Sequence, residues 1–153
     1  MPSETFERLN QQKKNRILSA AQKEFSKSVY EKAKVVNICK EAGIPRVTFY
    51  SYFSSLDDIY RYLYTTLSHF YIEGSAADCR AGEYDLVWEE YYMKLIESDK
   101  GQRILYSSMQ SAALEERMLH NISMSLAHQV KLKLLSRSDF IAELSRMRTK
   151  LFE

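Results

Sequence analysis

The chain has 153 residues, a net charge of +2, four glycines and two prolines, which suits an all-α protein built as one small unit or as a head on a modest bundle. No apolar run approaches the roughly 20 residues needed to cross a bilayer, and the N-terminus MPSETFERLNQQKK lacks the apolar centre of a secretion signal, so a cytoplasmic protein without a membrane partner is expected. Charge is uneven: residues 1–56 hold ten Lys and Arg against five Asp and Glu, and residues 57–153 hold twelve against fifteen, so the N-terminal end suits a polyanion.

The first helix is expected to begin near residues 6–11 and to run to about residue 28. Ile17, Leu18, Ala21 and Phe25 recur at helical spacing, which leaves Lys13, Lys14, Arg16, Lys23 and Lys27 in solvent. Residues 30–34 read as a loop. Ile38, Ala42, Ile44, Phe49 and Phe53 then place apolar side chains on one side of two short helices. Gly43 stands where the first must stop, and Pro45 where the second can open without its N–H. The pattern is a helix-turn-helix. Its second helix carries Arg46, Thr48, Tyr50, Ser51 and Tyr52 outside the apolar stripe, side chains suited to phosphates and base edges. On spacing alone, a purely structural helix pair fits equally well.

Ser54 or Ser55 caps the next helix, residues 56–77, with Asp57 and Asp58 complementing its dipole. Gly74 and Gly82 mark a break. A fifth helix ends near Ser98, residues 99–101 form a turn, and a shorter helix follows through Ile104, Leu105 and Met109. Tyr60, Tyr64, Phe70, Tyr71, Trp88, Tyr91, Tyr92 and Tyr106 would gather between these helices. They make either the wall of a cavity for an aromatic, lipophilic or cationic effector, or a packed aromatic core. The last two helices, residues 112–135 and beyond residue 138, carry Leu126, Val130, Leu134, Ile141, Leu144, Met147 and Leu151 on apolar stripes. Such stripes bury themselves against a second copy of the chain or close the monomer core.

No catalytic constellation is visible. Cys39 and Cys79 lie far apart without a CxxC pair, and His69, His120 and His128 lack partners at ligand spacing. With no glycine-rich phosphate loop and no nucleophile motif, neither an enzyme nor a metal or cofactor is expected.

The run AGIPRVTFYSYF followed by SSLDDIY resembles the DNA-binding segment of the TetR family of bacterial transcriptional regulators, RILSAAQKEF is similar to that family's first helix, and Val29-Tyr30 falls where a glycine-tyrosine pair is usual. Val29, Val47 and Leu56 depart from the family pattern, and Leu56 replaces a lysine that contacts phosphate. The resemblance implies a three-helix DNA-binding head at residues 1–54 and a helical effector and dimerisation body at residues 55–153, short for the family. It further implies operator DNA as partner, pairing through the last two helices, a fourth helix that shifts when a small-molecule effector binds, and a repressor released by that effector. Arg46, Thr48, Tyr50, Ser51 and Tyr52 become the DNA-contact candidates, and Lys13 and Lys14 join them by analogy with N-terminal arms. The competing expectation is a helical co-regulator or small-molecule-binding module without sequence-specific DNA binding.

Overall fold

The computed structural model describes the backbone of residues 2–73 and 83–152, and their side chains apart from those of residues 67–73, 83–89, 141, 148 and 152. The described secondary structure is entirely helical. It runs α1 (Glu4–Glu7), α2 (Gln11–Lys27), a 3-10 turn (Tyr30–Lys32), α3 (Val35–Ala42), α4 (Arg46–Tyr52), α5 (Leu56–Glu73), α6 (Glu83–Glu97), α7 (Asp99–Met109), α8 (Leu114–Lys131) and α9 (Arg137–Phe152).

The expected first helix is two helices, because two side chains cap separate starts. Ser3 Oγ accepts the Phe6 N–H at 3.3 Å, and Asn10 Oδ1 accepts the Lys13 N–H at 2.8 Å. In the head, α2 packs on α3 and α3 on α4. Ile17, Ala21, Phe25, Ile38, Ala42, Phe49 and Phe53 are all buried, which is the apolar framework that the spacing predicted. Phe6 of α1 adds a lid, its ring 4.8 Å from Phe53 and 5.6 Å from Tyr62 of α5.

The body is joined to the head where α2 runs against α5 and α6, and where the 3-10 turn runs against α7. Asp99 to Gly101, expected as a turn, are instead the first turn of α7. Ser98 is its N-cap, with Oγ accepting the Gly101 N–H at 2.8 Å. At the other end α8 stops at Lys131, short of the expected residue 135, because Lys133 takes a left-handed φ of 61° that no helix continues through.

Leu126 and Leu144, expected at a dimer interface, are buried within the single chain, where α8 packs on α9. Val130 and Met147 are half-buried, Leu134 and Leu151 are exposed, and the side chain of Ile141 lies outside the described residues.

Candidate nucleic-acid interface

Gly43 sets the turn between the two helices of the motif. Its φ of 69° is left-handed, a conformation that costs a side-chain-bearing residue about 1 kcal/mol or more. From there the Ile44 N–H reaches the Cys39 carbonyl at 3.0 Å and the Gly43 N–H the Lys40 carbonyl at 3.3 Å, a Schellman closure of α3. Pro45 takes the N-cap position and α4 opens one residue later, at Arg46.

The start of α3 is capped from another helix. Lys34, at its N-cap, makes no side-chain cap bond. Instead Oε1 of the buried Glu24 in α2 accepts the Lys34 N–H at 3.1 Å and the Asn37 amide at 3.0 Å. A carboxylate there satisfies the N-cap N–H and the side-chain amide of Asn37, and complements the dipole. Sequence reasoning missed Glu24, although one signal was present: it falls three residues after Ala21 and seven after Ile17, a charged residue on the apolar stripe.

The C-terminal end of α4 is held by α1. Ser3 donates its N–H to the Tyr52 carbonyl at 2.8 Å and its hydroxyl to the Ser51 carbonyl at 2.6 Å. Tyr52, expected on the outward face, is only 4% exposed, with its ring 5.8 Å from Phe6. Packing against α1, which the sequence reading had merged into α2, draws it into the core and away from solvent.

Arg46, Tyr50 and Ser51 are exposed and Thr48 is half-buried. The Arg46 guanidinium carbon lies 5.7 Å from the centre of the Tyr50 ring, within cation–π range, and no ion pair holds Arg46 among the described residues. The Ser51 hydroxyl donates to the Thr48 carbonyl at 2.6 Å. Lys13 is half-buried at the start of α2. The Lys14 ammonium pairs with Glu7 at 3.3 Å and sits 5.9 Å from the centre of the Phe6 ring. Cys39 is a free, buried thiol whose pKa burial raises, against the opposing effect of Arg46.

In the body, the expected effector residues divide. Tyr60, Tyr64, Tyr91 and Tyr92 are buried and packed on one another, with ring centres 5.9–6.3 Å apart. Tyr60 also meets Phe25 and Tyr30 of the head, both at 4.7 Å. Burial pushes the Tyr60 and Tyr91 phenols above the ordinary value of 10.0, so both stay neutral. Phe70, Tyr71 and Trp88 lie outside the described side chains. Tyr106 is exposed. It lines a groove of about 310 Å³ between α7 and α8 with Gln102, Arg103, His120 and Met124, and an adjoining one of about 180 Å³ that includes Arg117. His120 Nδ1 is hydrogen-bonded to the Tyr64 hydroxyl, and burial lowers its pKa below 6.5, so it is neutral at pH 7. Among the described residues no three His, Cys, Asp or Glu gather as for a metal, and no helix is long and apolar enough to cross a membrane.

Residues 17–63, which span this motif and its flanking helices, match the family described as "Bacterial regulatory proteins, tetR family". A solved structure of a TetR family transcriptional regulator from Chloroflexus aurantiacus J-10-FL is similar to this chain at 18% identity and a TM-score of 0.46, covering 99% of this chain and 78% of that one. No curated protein matches.

Proposed function

We propose that this chain, whose residues 17–63 carry the head of the tetR-family regulators, is a cytoplasmic homodimeric repressor that reads operator DNA with α4 and leaves it when a small molecule binds the body. The observation that carries the reading is the outward face of α4, where Arg46, Tyr50 and Ser51 stand exposed on the basic end of the chain, with Arg46 outside any ion pair among the described residues. Arg46 and Tyr50 are the principal contacts, Thr48 and Ser51 secondary ones, and Lys13 a flanking phosphate contact. Lys14 reaches phosphate only by giving up Glu7, and Tyr52 acts through packing. The exposed Leu134 and Leu151 belong to the surface that pairs two copies, so that two α4 helices meet successive major grooves.

The effector site is the groove between α7 and α8 rather than the packed tyrosine cluster. Arg103 and Tyr106 line it, Arg117 lines the groove that adjoins it, and no Asp or Glu is among the described residues lining either, which favours an anionic ligand with a flat apolar part over a cation. Occupancy of the groove biases α7, and α7 is tied to the head because Glu31 accepts the hydroxyl of its N-cap Ser98 at 2.9 Å, so the ligand shifts a population between two head arrangements.

Fluorescence polarisation tests the reading: the purified chain is titrated against DNA from upstream of its own gene and against scrambled DNA of equal length, at two salt concentrations. Preference for the native DNA that weakens steeply as salt rises is expected. Equal binding to both duplexes by a chain shown to be dimeric contradicts it.

A further inference from the structure

Among the described residues Val47 is the most exposed of the large apolar side chains, at 83%, and it lies on the helix proposed to face DNA. With Phe49 at the centre of the buried side of α4, a turn of about 100° per residue puts Val47 about 160° and Ser51 about 200° around the axis. Val47 therefore occupies the middle of the outward arc, with Arg46 and Tyr50 on one flank and Thr48 on the other. None of the described residues covers it to any large extent, and its side chain has no donor or acceptor with which to hold a phosphate.

We infer that Val47 reads the 5-methyl group of a thymine in the major groove, making thymine at one half-site position a determinant of operator choice. The inference rests on the DNA-binding reading above and deepens it. The occupant follows from the surroundings. The residue stands on the basic end of the chain beside Arg46, so a polyanion is the complementary partner, and the one apolar group on a base edge in the major groove is the thymine methyl. Cytosine at the same place offers an amino donor that valine cannot satisfy. The contact discriminates by burying one methyl group, an effect of about three- to fivefold in affinity.

The test uses the full chain and a duplex enriched from a randomised double-stranded library. Each thymidine of the enriched duplex is replaced singly by deoxyuridine, which removes only the methyl group, and binding is measured by fluorescence polarisation for the parent chain and for Val47→Ala. At such an exposed position the variant keeps the parent melting temperature, which circular dichroism checks. One deoxyuridine position is expected to weaken the parent by about three- to fivefold and to leave Val47→Ala indifferent. Enrichment of a duplex in which no position separates the two proteins overturns the assignment of Val47 alone. Failure to enrich any duplex overturns the DNA-binding reading together with it.

Discussion

Glu31 of the head accepts the Ser98 hydroxyl at 2.9 Å, and through the same oxygen the Lys100 N–H at 2.9 Å. One carboxylate thus completes the N-terminal cap of α7 from outside the body. The Lys100 ammonium closes the joint from the other side, 5.5 Å from the centre of the Tyr30 ring. Burial opposes ionisation of Glu31, but the Lys100 N–H, the Ser98 hydroxyl and the Lys100 charge outweigh it and lower its pKa below 4.5. A depressed carboxyl pKa stabilises the fold above the unfolded value and loses that contribution as pH falls through the folded one. Because Glu31 is itself exposed, Glu31→Gln is expected to melt only slightly below the parent at neutral pH, with the gap closing as pH drops below 4.5. Thermal melts at stepped pH measure this, and a gap independent of pH removes the charge from the account.

Gly101 is the second test of the same joint. A Cβ there would lie 2.7 Å from the Tyr60 hydroxyl and 2.8 Å from Ser98 Oγ. Gly101→Ala should cost about 1–3 kcal/mol by overpacking, and in a Tyr60→Phe background the added cost should shrink. A double-mutant cycle in urea reads the difference, and strictly additive effects would place the strain elsewhere.

Glu24 holds the start of α3. Glu24→Ala leaves the Lys34 N–H and the Asn37 amide without their shared acceptor, at an expected cost of about 1–3 kcal/mol. Glu24→Gln retains an acceptor and should lose less. Urea unfolding ranks the two, and equal losses would show that the packing of residue 24, rather than the cap, carries the effect.

For the pairing surface, Leu134→Glu together with Leu151→Glu should shift sedimentation from dimer toward monomer while leaving far-UV circular dichroism unchanged, since both side chains are exposed in the single chain. Leu126→Ala should instead lower stability by about 2–5 kcal/mol, as a core truncation does. A charged pair that leaves the dimer intact moves the interface off this corner.

The head was legible in the sequence because its signals are local. Gly43 and Pro45 announce the turn, and the apolar spacing through Phe53 fixes which side of α4 is buried. Tyr52 was misplaced because its burial depends on Phe6 and Ser3, some 50 residues away in sequence, and the separateness of α1 rests on the Asn10 cap. Glu24 and Glu31 were not legible as caps, since each accepts a backbone N–H and a side-chain donor at the start of a helix other than its own. Tyr60, Tyr64, Tyr91 and Tyr92 pack together while Tyr106 stands exposed, and periodicity cannot say which rings join a cluster, or whether they enclose a space or fill it. Leu126 and Leu144 show the same ambiguity for a stripe, which fits a partner helix within the chain as well as one in a second copy.

The most direct measurement compares Arg46→Ala with the parent chain on native upstream DNA and on a scrambled duplex of equal length. Arg46 is exposed and lies outside any ion pair among the described residues, so the variant should keep the parent's melting temperature and sedimentation. The account predicts a loss of about tenfold or more in affinity for the native DNA, with the preference over the scrambled duplex falling with it. A variant that binds the native DNA as tightly and as selectively as the parent would contradict the assignment of α4 as the reading helix.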